Sequence, residues 1–589
     1  MNPSTAQARV MVDELVRCGV TDVVLAPGSR STPLAIAVAE AEQRGDVALH
    51  VRLDERSAGY LALGLAKVTG IPAAVITTSG TAAVNLHPAV VEADQSGIPL
   101  LAVTADRPPQ LRGIGANQTI RQPGLFGDAV RLALDLAPAT RAPGQVVYWR
   151  SSVDRAVAAA TDPVRRGPVH LNVPFAEPLV PDGSDDWIED LDGREDGRPW
   201  TVDARLVAQM STTLDDVLDA LLDDATVPAR GVVIIGDLAV FGDLDDQREA
   251  VSMVDELTDT LGWPVIAEPS GNGAGCDTAL SHGPLLLADA AFADEHVPDL
   301  VLTVGRVGLD RSVLRMVSRA GVHVAIDCHP EWSDATRSAD VVVASVPLPP
   351  GQPVVDDEWL VSWQRADVLA AAAVETALFA HDDALTGMHV ARITATAVPA
   401  GGLLFVGPSW SVRNVATFAA NTVGDGAVLG NRGTSGIDGC VSAAWGAAVA
   451  AQRAGGAGAL ALMGDQTFVY DVAGLLAPGE EERPDLVYVV ADNDGGGIFS
   501  SLEQGAPAHA AVFERVFGVP LGLDLLALAQ ANGITAVAVD SAAALAAAID
   551  DAVGSGGVHV VVARTCGRER EAATLVAVRE AVGQALGSA

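Results

Sequence analysis

Asp465 and Asn493 each close an apolar run, 493 − 465 = 28 positions apart, and three glycines at 495–497 follow the second. A carboxylate, a side-chain amide oxygen and a backbone carbonyl brought together hold a hard cation and leave positions open for water and phosphate. Asp465, Asn493 and the carbonyl of Gly495 form such a set. The neighbouring glycines allow backbone to approach a ligand closely and to take positive φ without strain. Gly464-Asp465-Gln466 and Asp492-Asn493-Asp494 are also ordinary turn strings, so this stretch by itself leaves both readings open.

Other chemistry-bearing residues sit where apolar runs end. Glu55 stands at a strand-to-helix junction, either as a catalytic carboxylate or as a helix-start acid favoured by the macrodipole. Residues 27–33, Pro-Gly-Ser-Arg-Ser-Thr-Pro, predict a helix start in which Ser31 or Thr32 caps and Pro33 occupies the first turn. With Ser29 and Arg30 this is an anion site or a plain βα turn. Ser79 and Gly80 open another helix, expected to run through Asn85 and His87. Arg107, Asn117 and Gln118 crowd fixed donors into loops beyond a strand, which suits recognition of a polar anion. Further on, 407–414 carries Ser409 and Arg413, and 430–439 carries Arg432, Gly433 and Ile437. Arg306 and Arg311 follow a strand end in the middle of the chain and are equally readable as solvated surface.

The elements that must position these residues alternate between short apolar runs and helix-length segments, the pattern of parallel sheets with helices on both faces. Strands are expected at 23–26, 47–51, 73–78, 100–105 and 169–173, then at 231–235, 265–267, 300–304 and 323–326, and finally at 403–406, 427–429 and 486–490. Helical segments are expected at 359–379 and 389–397. Acidic, Pro- and Gly-containing residues 181–200 read as a linker. The expected organisation is 1–180, a linker at 181–200, 201–346, a linker and helical segment at 347–400, and 401–589. No G-x-G-x-x-G follows a strand, so no dinucleotide is indicated. The first and last domains look like two copies of one architecture, although no sequence repeat supports it.

Composition narrows the class. With 589 residues and 49% hydrophobic content the chain can build several cores. It shows no run of about 18 apolar residues and no signal-peptide core at its start, and a soluble cytoplasmic protein is expected. Five scattered cysteines form no C-x-x-C pair, which argues against zinc and disulfide frameworks. A net charge of −38, from 75 acidic against 37 basic residues, repels nucleic acid and anionic membranes.

Seven strings then carry a resemblance: APGSRSTPLA, RLDERSAGYLALGLAK, TTSGTAAVNLHPA, TADRPP, GANQTIRQPGLF, NRGTSGIDG and DNDGGGIFSSLEQ. With the Gly-Asp…Asn pair they resemble thiamine-diphosphate enzymes, and within these the 2-succinyl-5-enolpyruvyl-6-hydroxy-3-cyclohexene-1-carboxylate synthase family of menaquinone biosynthesis. The chain departs from the common Gly-Asp-Gly and Asn-rich forms without losing a proposed ligand. The resemblance implies three doubly wound α/β domains: pyrimidine-binding, central Rossmann-like, and diphosphate- and metal-binding. It implies a transferase that uses thiamine diphosphate with Mg²⁺ or Mn²⁺ and takes 2-oxoglutarate and isochorismate. Glu55 is then the catalytic proton-relay residue on the cofactor's aminopyrimidine. Ser79, Gly80, Arg432, Gly433, Ile437, Gly464, Gln466, Gly496 and Ile498 join Glu55 and the metal ligands Asp465, Asn493 and Gly495 around the cofactor. Ser29, Arg30, Arg107, Asn117, Gln118, Ser409, Arg413, Arg432, Ile498 and Phe499 line the substrate side. A homodimer or homotetramer is implied, with active sites at the subunit interface.

An acetolactate-synthase-like carboligase or 2-oxoacid decarboxylase is the alternative within enzymes, and a non-catalytic binding subunit the alternative outside them. The excess of arginine at strand ends favours dicarboxylate substrates, because planar guanidinium forks match carboxylates. Acid-rich, lysine-poor composition, with Lys67 the sole lysine, resembles proteins of salt-loving archaea. The thermal midpoint is accordingly expected to rise from dilute buffer to molar KCl; equal midpoints in the two refute this reading of the surface.

Overall fold

A computed structural model describes residues 1–184, 186–203, 212–219, 227–379 and 384–587. Asp185 of the expected linker, residues 204–211 and 220–226 of the middle section, 380–383 of the following segment and 588–589 lie outside the described residues. The chain forms two compact units. One comprises Met1–Ala208, Asn431–Ala450 and Asp471–Arg483; the other comprises Gln209–Gly430, Ala451–Tyr470 and Pro484–Ala589.

The first unit holds a six-stranded sheet of β1 (Asp22–Leu25), β2 (Ala48–Val51), β3 (Ala73–Thr77), β4 (Leu100–Asp106), β5 (Ala133–Asp135) and β6 (Val169–Pro174). The strand order is β2-β1-β3-β4-β6-β5, and all pairs are parallel. The second unit holds two sheets. The first of these, ordered β11-β10-β9-β7-β8, is built from β7 (Gly231–Ile235), β8 (Val265–Ala267), β9 (Leu300–Val304), β10 (Val322–Ile326) and β11 (Val341–Val343). The other contains β12 (Leu403–Val406), β13 (Ala427–Leu429), β14 (Ala459–Gly464), β15 (Leu486–Asp492), β16 (Thr535–Val539) and β17 (Val558–Arg564), ordered β13-β12-β14-β15-β17-β16.

The outer two sheets therefore share one topology, strand for strand, which bears out the two-copy expectation that no sequence repeat could support. Strands wrapped by helices on both faces read as continuous apolar runs. That is why β1, β3, β4, β7, β9 and β12 were legible in the sequence. Of the unassigned strands, β5, β11 and β16 are edge strands with half-exposed patterns and a correspondingly weak signal, whereas β17 is an inner, mostly buried strand whose apolar run the sequence reading passed over.

Three local expectations are corrected. Residues 79–87 do not start one helix; Thr81–Val84 and His87–Ser96 are separate, with Pro88 seated in the first turn of the second. Ser31 is at the N-cap of the helix Thr32–Arg44, but its hydroxyl donates to the Gly28 carbonyl at 3.0 Å and makes no cap bond. The helix expected at 359–379 is Asp357–Val374, followed by a π turn at Glu375–Phe379.

In the first unit the helix Glu55–Thr69 crosses residues 440–450 at backbone distance. A Cβ on Gly64 would lie 2.1 Å from the Ala443 carbonyl oxygen, and one on Gly446 would lie 2.2 Å from that of Leu61. The obstacles are backbone, so neither can swing away. Gly64→Ala is expected to destabilise the protein by about 1–3 kcal/mol, the usual cost of overpacking, read as a lowered denaturant midpoint. An unchanged midpoint would show that the crossing is looser than this.

Candidate active site

In an open α/β sheet, ligands bind beyond the carboxyl ends of the strands where the strand order reverses. In the first sheet that point lies between β1 and β3, whose following loops carry Ser29, Arg30, Ser79 and Gly80. In the third it lies between β12 and β14, which are followed by Ser409 and the helix carrying Arg413, and by the helix that opens with Asp465 and Gln466. The same topology thus presents candidate residues at the same place in each copy.

In the second unit, parallel pairing sets Gly464 beside Ala491, which brings the ends of β14 and β15 together. Asp465 opens the helix Asp465–Tyr470, buried, and its Oδ2 accepts the Gly495 N–H at 2.6 Å. Burial raises its carboxyl to about 7; the nearby Asp492 and Asp494 charges add to this, against hydrogen bonds from the Gln466 and Gly495 backbones. Asn493 Nδ2 donates to Glu571 at 3.3 Å, while its Oδ1 is buried with no partner among the described residues. Glu571 is itself buried, which pushes its carboxyl up, and it also accepts the Gly387 N–H at 2.7 Å. An acceptor-only carboxylate on Nδ2 orients the amide, so Oδ1 is the end left for a ligand. A buried carboxylate with further acids crowding it and an orphaned amide oxygen are the donor set of a hard cation. The Gly495 carbonyl accepts from Gly497 N–H at 2.9 Å and keeps a second lone pair.

The glycines here are set by packing against the chain itself. A Cβ on Gly495 would lie 2.3 Å from the Gly518 carbonyl oxygen, and one on Gly496 would lie 2.4 Å from that of Phe517. Gln466 also turns this way, donating to the Gly518 and Val519 carbonyls at 3.2 and 3.3 Å. Ile498 and Phe499 lie on the 3₁₀ turn Gly497–Ser501, with the Phe499 ring 5.7 Å from that of Phe517. Ser409 starts the helix Trp410–Phe418 with φ +69, strained for a residue with a Cβ, and its carbonyl accepts Arg413 Nη1 at 2.9 Å. Arg413 also lines a small cavity with Glu268 and Asp310. Arg306 shares an antiparallel bridge with Asp237, and Arg311 begins a helix.

In the first unit, Gly28 is required because a Cβ would lie 2.3 Å from Thr78. Arg30 is buried; its Nη1 donates to the Phe175 carbonyl at 3.0 Å and its Nη2 lies 3.7 Å from Glu177. Arg107 Nη1 donates to Ser79 Oγ and, at 2.7 Å, to the Gln118 carbonyl. Its pKa is lowered by burial first and by the neighbouring Arg30 next, so two cations share this corner. Gln118 sits at φ +53 and returns Nε2 to the Ser79 carbonyl at 3.0 Å, while Asn117 is exposed. Gln122, not singled out in the sequence, is buried and ties three strand ends together. Its Oε1 accepts Gly80 N–H at 3.2 Å, and its Nε2 donates to the Ala105 carbonyl and Asn172.

Glu55 is the first residue of its helix, capped by Asp54, and accepts from Asn85 Nδ2 at 3.3 Å. Two positions on, Ser57 Oγ donates to the buried Asp471, which also accepts Ser442 N–H at 2.8 Å. Arg432 and Ile437 are half-buried, and Gly433 N–H donates to Glu92 at 2.8 Å. Asp471, Glu92 and Glu571 went unnoticed in the sequence. For Asp471 and Glu92 the one signal is an acid among apolar or small neighbours; Glu571, in the charged run Arg568-Glu569-Arg570-Glu571, carries none.

Residues 6–125 match the family described as thiamine pyrophosphate enzyme, N-terminal TPP binding domain, and 418–563 the corresponding C-terminal TPP binding domain. Three relatives bear the name 2-succinyl-5-enolpyruvyl-6-hydroxy-3-cyclohexene-1-carboxylate synthase. The one from Saccharopolyspora erythraea is 47% identical, covering 91% of each chain. Those from Thermobifida fusca and Nocardia farcinica are 45% and 42% identical, covering 100% of both chains and 97% and 98% respectively. The chain belongs to this synthase family. A solved structure of a protein from Mycobacterium smegmatis has the same fold, with a TM-score of 0.65 at 20% identity over 95% of this chain and 99% of that one. The N-terminal family match contains Ser29, Arg30, Glu55, Ser79, Arg107 and Gln118; the C-terminal match contains Arg432, Asp465, Asn493 and Phe499.

The raised carboxyl of Asp465 has a definite sign. Its ordinary value is 3.8, so between about pH 4 and 7 the native, metal-free chain keeps a proton that the unfolded chain has released. Stability contributed by this group therefore falls as pH rises through that window, by up to about 1.4 kcal/mol per pH unit. Asp465→Asn is expected to flatten that slope and to melt at least as high as the parent at pH 8 without metal. It is also expected to lose the stabilisation that Mg²⁺ with thiamine diphosphate gives. Thermal melts with and without both additions check this; an undiminished cofactor-dependent rise in the variant overturns the assignment.

Proposed function

We propose that this chain removes carbon dioxide from 2-oxoglutarate and joins the remaining succinyl carbon to isochorismate, giving 2-succinyl-5-enolpyruvyl-6-hydroxy-3-cyclohexene-1-carboxylate in menaquinone biosynthesis. The observation that carries this reading is full-length identity of 45% to a relative of that name, with Glu55, Asp465 and Asn493 all present. Thiamine diphosphate, when bound, supplies the nucleophilic carbon and the electron sink for decarboxylation. Asp465, Asn493 Oδ1 and the Gly495 carbonyl would hold Mg²⁺ or Mn²⁺ against its diphosphate.

Glu55, supported by the Asn85 amide, holds and moves a proton at the cofactor's aminopyrimidine. The Arg30 and Arg107 pair, together with Arg413 and Arg432, supplies positive charge for substrate carboxylates on an otherwise acidic protein. Ser29, Ser79, Asn117, Gln118 and Ser409 add hydrogen bonds, and Ile437, Ile498 and Phe499 supply apolar wall that keeps water from the reacting carbon. Residues 1–180, 201–346 and 401–589 serve as pyrimidine-binding, central, and diphosphate- and metal-binding domains. The active form is a homo-oligomer in which Glu55 and the metal ligands of one site come from different subunits. Among the described residues no helix is long and apolar enough to cross a membrane, in keeping with a cytoplasmic enzyme.

Incubation with thiamine diphosphate, Mg²⁺, 2-oxoglutarate and isochorismate is expected to give the adduct by mass, with one carbon dioxide released per adduct. Glu55→Gln is expected to keep cofactor binding and lose turnover by about 100-fold or more. Turnover of pyruvate alone, with no adduct from the two acids, would instead place the chain with the acetolactate-type enzymes.

A further inference from the structure

Glu92 lies in the middle of the helix His87–Ser96 and is fully buried. Burial without partners is costly for a carboxylate, so its presence is not explained by the helix itself. The partners come from the loop that follows β13. Oε1 accepts Gly433 N–H at 2.8 Å, and Oε2 accepts Thr434 N–H at 2.6 Å and Thr434 Oγ1 at 2.7 Å. Ser96 Oγ supplies a fourth donor to Oε1 at 3.0 Å. The contact is close throughout. A Cβ on Gly433 would lie 2.5 Å from Ser96 Oγ and 2.9 Å from the Glu92 carbonyl oxygen, so only glycine seats the loop on this helix.

The held segment is preceded at once by two side chains suited to ligands. Arg432 is half-buried, and its backbone leads directly into the captured Gly433 N–H. Asn431 is buried, with neither its amide nitrogen nor its amide oxygen partnered among the described residues. Charge-assisted bonds from a rigid helix to two successive backbone N–H groups fix the direction in which a loop presents its side chains.

We infer that Glu92 is a positioning residue: its carboxylate clamps the loop at Gly433 and Thr434 so that Arg432 meets a substrate carboxylate in one orientation. This rests on the reading of Arg432 as a substrate-binding cation. In Glu92→Gln one acceptor oxygen becomes an N–H₂ that faces either the Gly433 N–H or the Thr434 N–H and hydroxyl, so the clamp opens on that side while the helix keeps a side chain of the same size.

The test is steady-state kinetics of the holoenzyme with both substrates, for Glu92→Gln, Arg432→Ala and the double variant. The expected result is about a tenfold rise in KM for one and the same substrate in each single variant. kcat should change less than KM, and the double variant should be no worse than Arg432→Ala alone. If Arg432→Ala raises KM and Glu92→Gln does not, or if the two effects multiply in full, the inference is overturned. If Arg432→Ala itself changes neither KM, the reading of Arg432 fails instead. Should Glu92→Gln not fold, Thr434→Val removes only the hydroxyl donor at an exposed residue. A smaller rise in the same KM is then expected, and an unaltered KM overturns the clamp.

Discussion

A buried carboxylate must be saturated with donors, and in this protein the donors are repeatedly backbone N–H groups at strand ends, in the loops that follow them and at a helix start. Glu92 takes those of Gly433 and Thr434, Asp465 takes that of Gly495, and Glu571 takes that of Gly387. Glu268 holds Gly308 and Leu309, and Glu481 holds Val51 N–H at 2.8 Å while its other oxygen pairs with the buried Arg52. Leaving such a charge unpaired costs far more than a surface ion pair contributes, so each contact fixes its loop firmly. In a chain with 75 acidic residues, most of them solvated, this small buried minority gives the functional edges their shape.

The second constraint is the repeated sheet. Two sheets with the same strand order place their switch points alike, so arginines and serines collect at one edge and metal-type oxygens at the equivalent edge of the other. Short, small-residue contacts keep the surrounding helices close. Gly64 and Gly446 let two helices meet at backbone distance, and Arg52 in the same unit lies 5.3 Å from the Trp445 ring centroid. The helix that starts with Glu55 is held by Asp471, whose carboxyl burial raises to about 6. Glu55 thus begins a helix that is anchored two residues further on by a buried acid.

The glycines at 495–497 show how a motif can be right and its local reason incomplete. Their sequence reading rests on close approach to a ligand, and the structure adds an approach to the chain itself, at the carbonyls of Phe517 and Gly518. Gln466 likewise turns to that segment. The arginines separate in a comparable way: Arg30 and Arg107 share a corner, whereas Arg413 turns back on the Ser409 carbonyl and a cavity lined by Glu268.

The sequence by itself determined most of the strands buried on both faces, the strand ends followed by Glu55, Arg432, Asp465 and Asn493, and the family. Each of these is written in contiguous residues, as an apolar run or as a string of turn and ligand types. Edge strands such as β5 and β11 escaped it because half-exposed residues carry a weak pattern. Only the tertiary structure decided that Glu92 holds a loop 341 positions away, that Glu571 turns the Asn493 amide, and that Gln122 ties three strand ends together. A buried polar group is defined by its partner, and here the partners are brought close by sheet order, which no local stretch of sequence encodes.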